Sequence, residues 1–283
     1  MGALGLVESV GRGWLRLRGV RSRKIPTSVG VQHYWEGRGR GPHGTLVLQH
    51  GIGAGNALHF ALTMLFARRW FRRVIAPDLA GHGLSEPAPC MCPEQVFAGF
   101  AEVLDRTLEE PAVVCGNSLG GAMAAQYAVI RPERVRGLVL LSPAGAPMDG
   151  QVLAGFVRQF EMPTVEDTRA FIRALYHRAP PGSGWMVRDI RRQFHSAPIR
   201  ELLASLRPEH GLAPGAIGSL PMPTLLMWGR SDQVMLGSML AWFKAHLPEH
   251  AVVEEPERIG HCPQLDRPLW TAHRLRAFAE SLA

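Results

Sequence analysis

Short apolar runs recur along the chain, each followed by a longer stretch with apolar residues three and four apart. Residues 45–49 (TLVLQ), 74–76, 112–115 (AVVC), 135–141 (VRGLVLL), 224–228 (TLLMW) and 251–254 are too short for helices. Gly, Pro or polar residues bound them, so they predict buried strands. Residues 55–69, 94–109, 119–131, 236–246 and 266–281 carry helical spacing. In the third of these, Met123, Tyr127 and Ile130 fall on one helix face. Pro77 ends the second strand and Pro111 stops the helix before the third.

Strand and helix therefore alternate on both sides of residues 147–219. Such alternation predicts an α/β fold, a mostly parallel sheet with helices on both faces and right-handed crossovers. Residues 147–219 break the rhythm with Arg, His, Phe and Pro-rich turns, and read as several helices without a clear strand. An insertion between two strands of an open α/β sheet stands above the strands' C-terminal ends, where ligands bind. The predicted organisation is a core of residues 1–146 and 220–283 and a helical cap of residues 147–219.

With 283 residues, 46% hydrophobic and 19% charged, the chain can bury a substantial core and is not disordered. No apolar run approaches the ~20 residues of a membrane span. The formal charge is +7, and every basic residue except Lys24 and Lys244 is Arg. Arg12, Arg16, Arg18, Arg21, Arg23 and Lys24 form one basic stretch, but no basic and aromatic module accompanies it. The charge thus predicts no nucleic-acid partner and reads as arginine-rich composition bias. Glu8 interrupts the mildly apolar first ten residues and Arg12 closely follows them, so they do not read as a signal peptide. Leu6 breaks the myristoylation pattern that Gly2 would open. The expected location is the cytoplasm. Cys90, Cys92, Cys115 and Cys262 lack zinc-ligand spacing and are expected to be reduced thiols.

The chemistry concentrates in a few loops. Gly116-Asn117-Ser118-Leu119-Gly120 is a G-x-S-x-G sequence between the strand AVVC and a helix. A strand turning that sharply into a helix strains the serine and exposes its hydroxyl, and small residues on either side let neighbouring backbone pass. The plainer alternative is a Gly-rich helix start with Ser118 as its cap. A serine needs a base, and the chain order expected after such an elbow is Ser, acid, His. Asp232 follows the strand TLLMW, and His261 lies between the last strand and the last helix, so both reach the same sheet edge as Ser118. Asp266 is an alternative acid but reads better as a cap of the last helix. His50 and His82 are weaker candidates for the base, because both precede the nucleophile. The loop His50-Gly51-Ile52-Gly53 offers the Ile52 N–H as an oxyanion donor beside the Leu119 N–H.

HGIG (50–53), PDLAGHGLS (77–85), GNSLGG (116–121), WGRSDQV (228–234) and GHCPQLDRP (260–268) stand in one order along the chain. On these motifs it resembles the α/β-hydrolase superfamily from about residue 28 to 281. The resemblance implies an eight-stranded, mostly parallel sheet and a helical cap after strand six. It also implies that Asp78, His82 and Gly83 shape a loop near the site without being catalytic. Ser118 sets the chain apart from relatives that use an aspartate nucleophile. Asn117 is similar to the residue found in hydrolases that cleave carbon–carbon bonds of ring-fission products. Two departures weigh against that class: Gly51-Ile52-Gly53-Ala54-Gly55 stands where those enzymes usually read Gly-Ser-Gly-Pro-Gly, and Cys262 where they commonly carry Trp.

The expected activity is carboxylic-ester hydrolysis by Ser118, His261 and Asp232, needing neither metal nor organic cofactor. Carbon–carbon hydrolysis ranks second. A non-catalytic binding protein on the same scaffold is the rival from another class. The expected partner is a small, largely apolar ester or acyl compound, with the protein a monomer or homodimer. Phe156, Phe160, Phe171, Tyr176, Trp185 and Phe194 are candidates for the pocket wall, or else pack the cap's own core. Arg173, Arg191 and Arg192 either bind a carboxylate or form a solvated face.

Overall fold

A computed structural model describes residues 3–53 and 55–282. The readings placed on Met1, Gly2 and Ala54 lie outside the described residues. The chain opens with helix α1 (Ala3–Leu17) and the hairpin β1 (Val20–Thr27) and β2 (Gly30–Arg38). Strand β3 (His43–Gln49) leads through α2 (Asn56–His59) and α3 (Ala61–Ala67) to β4 (Phe71–Pro77). Helix α4 (Pro93–Thr107), β5 (Ala112–Asn117), α5 (Leu119–Ile130) and β6 (Val135–Leu141) follow. Five helices come next: α6 (Gly150–Arg158), α7 (Val165–Leu175), α8 (Val187–Phe194), α9 (Ala197–Ser205) and α10 (Pro214–Gly218). The chain then returns through β7 (Thr224–Met227), α11 (Gly237–His246), β8 (Val252–Glu254), α12 (Pro263–Asp266) and α13 (Pro268–Glu280).

The eight strands form one sheet in the order β1-β2-β4-β3-β5-β6-β7-β8. Strand β2 runs antiparallel to both neighbours, and from β4 to β8 all pairings are parallel. The strands' period of two divides the core. Val47, Val114, Leu138 and Leu140 pack on one face, and Leu46, Leu48, Val113, Cys115, Val139 and Leu141 on the other. Both faces are covered, so these strands are apolar throughout.

Helix α5 departs from the one-sided pattern expected of it. Met123 and Tyr127 are buried but Ile130 is exposed, and Gly120 to Ala125 are buried on every side of the helix. It runs from the centre of the sheet between two packed layers, and a helix so placed has no polar face. The first two strands were not legible as apolar runs. Strand β1 (VRSRKIPT) is an edge strand with mostly exposed or half-buried positions, and β2 buries Gln32, His33 and Glu36. Two of these polar groups are charge-paired: His33 Nδ1–H donates to Asp78 at 2.8 Å, and Arg73 Nε–H donates to Glu36 at 2.7 Å. The four cysteines are free thiols. No helix among the described residues is long and apolar enough to cross a membrane.

Candidate active site

Strand β5 ends in the centre of the sheet, and the turn into α5 places Ser118 there with φ 56° and ψ −122°. That conformation costs a non-glycine residue about 1–3 kcal/mol and persists only where its surroundings enforce it. Here the backbone is held from both sides. Ser118 N–H donates to Leu141 O at 3.1 Å, and Ser118 O accepts from Gly121, Ala122 and Ala144. A Cβ at Gly116 would collide with the Gly120 carbonyl, and one at Gly120 with the His50 carbonyl, so the turn admits only glycine at these flanks. No side-chain hydrogen bond from Ser118 caps α5, which leaves its hydroxyl free of the capping role.

Asp232 and His261 arrive from the loops after β7 and β8. His261 Nδ1–H donates to Asp232 Oδ2 at 3.0 Å. The other oxygen, Oδ1, accepts from the Val234 and Met235 N–H groups at 2.8 and 3.1 Å. Burial works to raise the Asp232 pKa, but the facing His261 and these two N–H groups outweigh it and hold the carboxyl below its ordinary range. The carboxylate therefore stays charged and keeps the His261 proton on Nδ1, leaving Nε2 as the basic nitrogen. Ser118 and His261 line the same cavity. No hydrogen bond joins the Ser118 hydroxyl to the His261 ring in this conformation, a contact that commonly tightens only on substrate binding.

Two cavities of about 110 and 100 Å³ meet at Ser118 and share Ile52 and Phe160. The larger is aliphatic, with Met123, Leu153, Leu202, Leu203, Leu206 and Met235 among its walls. The smaller is aromatic, with Phe171, Tyr176 and Phe194. Gly51 comes so close to Ser118 that a Cβ there would sit 3.0 Å from the Ser118 Cβ. Among the described residues, neither the Ile52 nor the Leu119 N–H has an acceptor within the protein.

The other sequence candidates are placed elsewhere. His50 is fully buried, its Nδ1–H donating to Gly51 O and its Nε2 accepting from the Leu79 N–H, so both nitrogens are engaged. His82 donates from Nδ1 to Ala80 O, and burial pulls its pKa down to about 3. Asp78 accepts from His33, Asn56 N–H and Leu84 N–H, tying the loop after β3 to the loop after β4. Asp266 does not cap α13, whose N-cap is Arg267. Its carboxylate instead accepts from the Gly260 and His177 N–H groups and pins the loop in front of His261.

The pocket aromatics meet both expectations at once. Phe156, Phe160, Phe171 and Phe194 pack against each other with ring centroids 5.3–6.0 Å apart, and the same rings line the cavities. Trp185 is the exception: at 83% exposure it lines neither cavity. The arginines do not reach the cavities either. Arg191 donates to the Met162 and Pro163 carbonyls, Arg192 pairs with Asp189 on the surface, and Arg173 is exposed.

Asn117 has a larger part than its motif position suggested. Fully buried, its Nδ2 donates to Leu141 O at 3.0 Å and His261 O at 2.9 Å. Its Oδ1 accepts from Gln264 Nε2 at 2.9 Å and faces Cys262 Sγ at 3.5 Å. One amide thus fastens the loop of His261 to the turn of Ser118. Among the described residues, no three His, Cys, Asp or Glu side chains group as a metal site.

Comparison with known proteins agrees with this architecture. The chain is 37% identical over 179 residues to the 2-hydroxymuconate semialdehyde hydrolase of Pseudomonas sp. (strain CF600), covering 58% of this chain and 61% of that protein, less than two thirds of the relative's length. It is 30% identical over 246 residues to the pimeloyl-[acyl-carrier protein] methyl ester esterase of Aromatoleum aromaticum, covering 79% of this chain and 93% of that one. The crystal structure of a membrane phospholipase A superposes with a TM-score of 0.83 at 25% identity, covering 99% of this chain and 92% of that one. The sequence profile of the Alpha/beta hydrolase family matches residues 46–274, and the chain belongs to that family.

Proposed function

We propose that the protein hydrolyses a carboxylic ester, or a related acyl compound, through Ser118, His261 and Asp232. The observation that carries this reading is that His261, held from behind by the buried Asp232 carboxylate, lines the same cavity as the strained Ser118. Ser118 Oγ attacks the ester carbonyl while His261 Nε2 takes its proton. Asp232 holds the ring's tautomer and stabilises the imidazolium. The Ile52 and Leu119 N–H groups, without acceptors among the described residues, stabilise the oxyanion. His261 then protonates the leaving alcohol, and an acyl-enzyme remains on Ser118. Water that loses its proton to His261 releases the acid.

Residues 147–219 act as a cap whose apolar rings set the substrate's shape, and the pair of cavities gives the acyl and alcohol arms one apolar pocket each. Carbon–carbon bond hydrolysis is the second reading, favoured by the 37% identity to the 2-hydroxymuconate semialdehyde hydrolase. Turnover of p-nitrophenyl esters of increasing acyl length, beside a ring-fission dienoate, separates the two. Ser118→Ala should lower ester turnover by about 10⁶-fold, the scale found for the nucleophile of a serine protease. Near-normal activity in that variant rejects the assignment.

A further inference from the structure

The cavity on the His261 side carries a polar group that ester hydrolysis leaves unused. His59, the last residue of α2, lines this cavity together with Ser118 and His261. Its Nδ1 is enclosed, both unpaired and closed to the cavity, and among the described residues Nε2 has no protein partner either, so Nε2 is the nitrogen open to a ligand. The ring instead stands edge-on to His50, with centroids 6.2 Å apart. A ring on a cavity wall with neither nitrogen paired is uncommon, because polar groups taken out of bulk water are nearly always hydrogen-bonded. The surrounding wall is apolar: Leu58, Phe160, Phe171, Leu175, Ile190 and Phe194. Asn117 also borders the cavity, but its amide is spent on the His261 loop. Tyr176 also lines the same wall. No Lys, Arg, Asp or Glu lines this cavity. Burial first, then the neighbouring His50, His261 and His82, bring the His59 pKa down to about 3, so the ring is neutral at pH 7.

We propose that His59 is a substrate-recognition residue that hydrogen-bonds an uncharged oxygen on the substrate arm lodged in this cavity. A neutral imidazole offers one N–H and one lone pair, which suits an ether, hydroxyl or carbonyl oxygen. A carboxylate on the same arm would enter an apolar wall with no positive charge to meet it. At about 100 Å³ the cavity is smaller than the ~150 Å³ engineered cavity that takes up benzene, so the arm is at most about one ring in size. The inference rests on Ser118 as the nucleophile that fixes the substrate between the two cavities.

The test compares isosteres that differ by one ring oxygen. Tetrahydropyran-4-yl butyrate is set against cyclohexyl butyrate, and butyl tetrahydropyran-4-carboxylate against butyl cyclohexanecarboxylate, so that either arm can occupy the cavity. In one of the two pairs the wild-type protein should favour the oxygen-bearing ester by about 2- to 13-fold in kcat/KM, the worth of one neutral hydrogen bond. His59→Leu should bring that ratio to one, and His59→Gln should keep part of it. Calorimetric binding of the same four compounds to the Ser118→Ala protein reads recognition without turnover, so loss of the ester reading does not obscure the result. A preference that survives in His59→Leu, or no preference of the wild-type protein in either pair by turnover and by binding, overturns the proposal.

Discussion

Replacing Asn117 with Ala isolates the link between the Ser118 turn and the His261 loop. The amide donates to two carbonyls and accepts from two side chains, all buried. Leu141 O keeps its bond from the Ser118 N–H, so it remains satisfied after the substitution. His261 O and Gln264 Nε2 lose the partner that Asn117 supplied. At about 1–3 kcal/mol for each stranded polar group, the loss is about 2–6 kcal/mol, a large share of the 5–15 kcal/mol typical of folded proteins. Urea unfolding should show a lower midpoint with an unchanged slope. The His261 loop also loses its tether, and a shift of about 1 Å at a catalytic group can cost 10²-fold in rate. The fall should therefore appear in kcat more than in KM. Changing Gln264→Met in the same chain removes one of the two stranded groups and should restore about 1–3 kcal/mol. A midpoint shift worth less than about 1 kcal/mol, with kcat unchanged, would refute the clamp.

Two further outcomes follow from the buried charges. His82 is neutral when folded, with its pKa at about 3 against an ordinary value of 6.5. The unfolded chain therefore binds a proton that the folded one refuses. The stability it contributes is fully present above pH 6.5 and is lost as the pH falls toward 3. By linkage the loss is about 2 kcal/mol at pH 5. His82→Asn cannot charge, so its unfolding free energy should drop by that much less between pH 8 and 5, and equal drops in both proteins reject the assignment. Asp232→Asn removes the acceptor that fixes the His261 tautomer, and kcat/KM should fall about 10⁴-fold, as for this change in serine proteases. A loss below about tenfold would point to Asp266 as the acid instead.

How much of this was readable in the chain depends on whether a contact is local. The parallel strands announce themselves because both of their faces are buried, so 112–115 and 135–141 are unbroken apolar runs. The first hairpin does not, because β1 is an exposed edge and β2 replaces buried apolar residues with paired polar ones such as His33 and Glu36. The elbow was legible because the glycines at 116 and 120 answer a steric demand made within five residues. Asp232 and His261 were legible only as the ends of strands, and the topology then decided that they pair.

Contacts that cross the molecule leave no such mark. Nothing in GNSLGG indicates that Asn117 reaches residues 144 and 147 positions away, and nothing in GNALHF (55–60) singles out His59. Asp266 shows the same limit from the other side. Its position before a helix suggested a local cap, yet its carboxylate goes to the backbone of Gly260 and, across from the inserted helices, of His177. That contact couples the segment bearing Tyr176 to the loop bearing His261. The loop of His261 is thus held at two points, by Asn117 from the sheet and by Asp266 toward the insertion. The proposed reaction requires His261 to meet both a buried carboxylate and Ser118, and such fixing serves it, because a hydrogen bond to Asp232 alone leaves the ring free to swing about that contact.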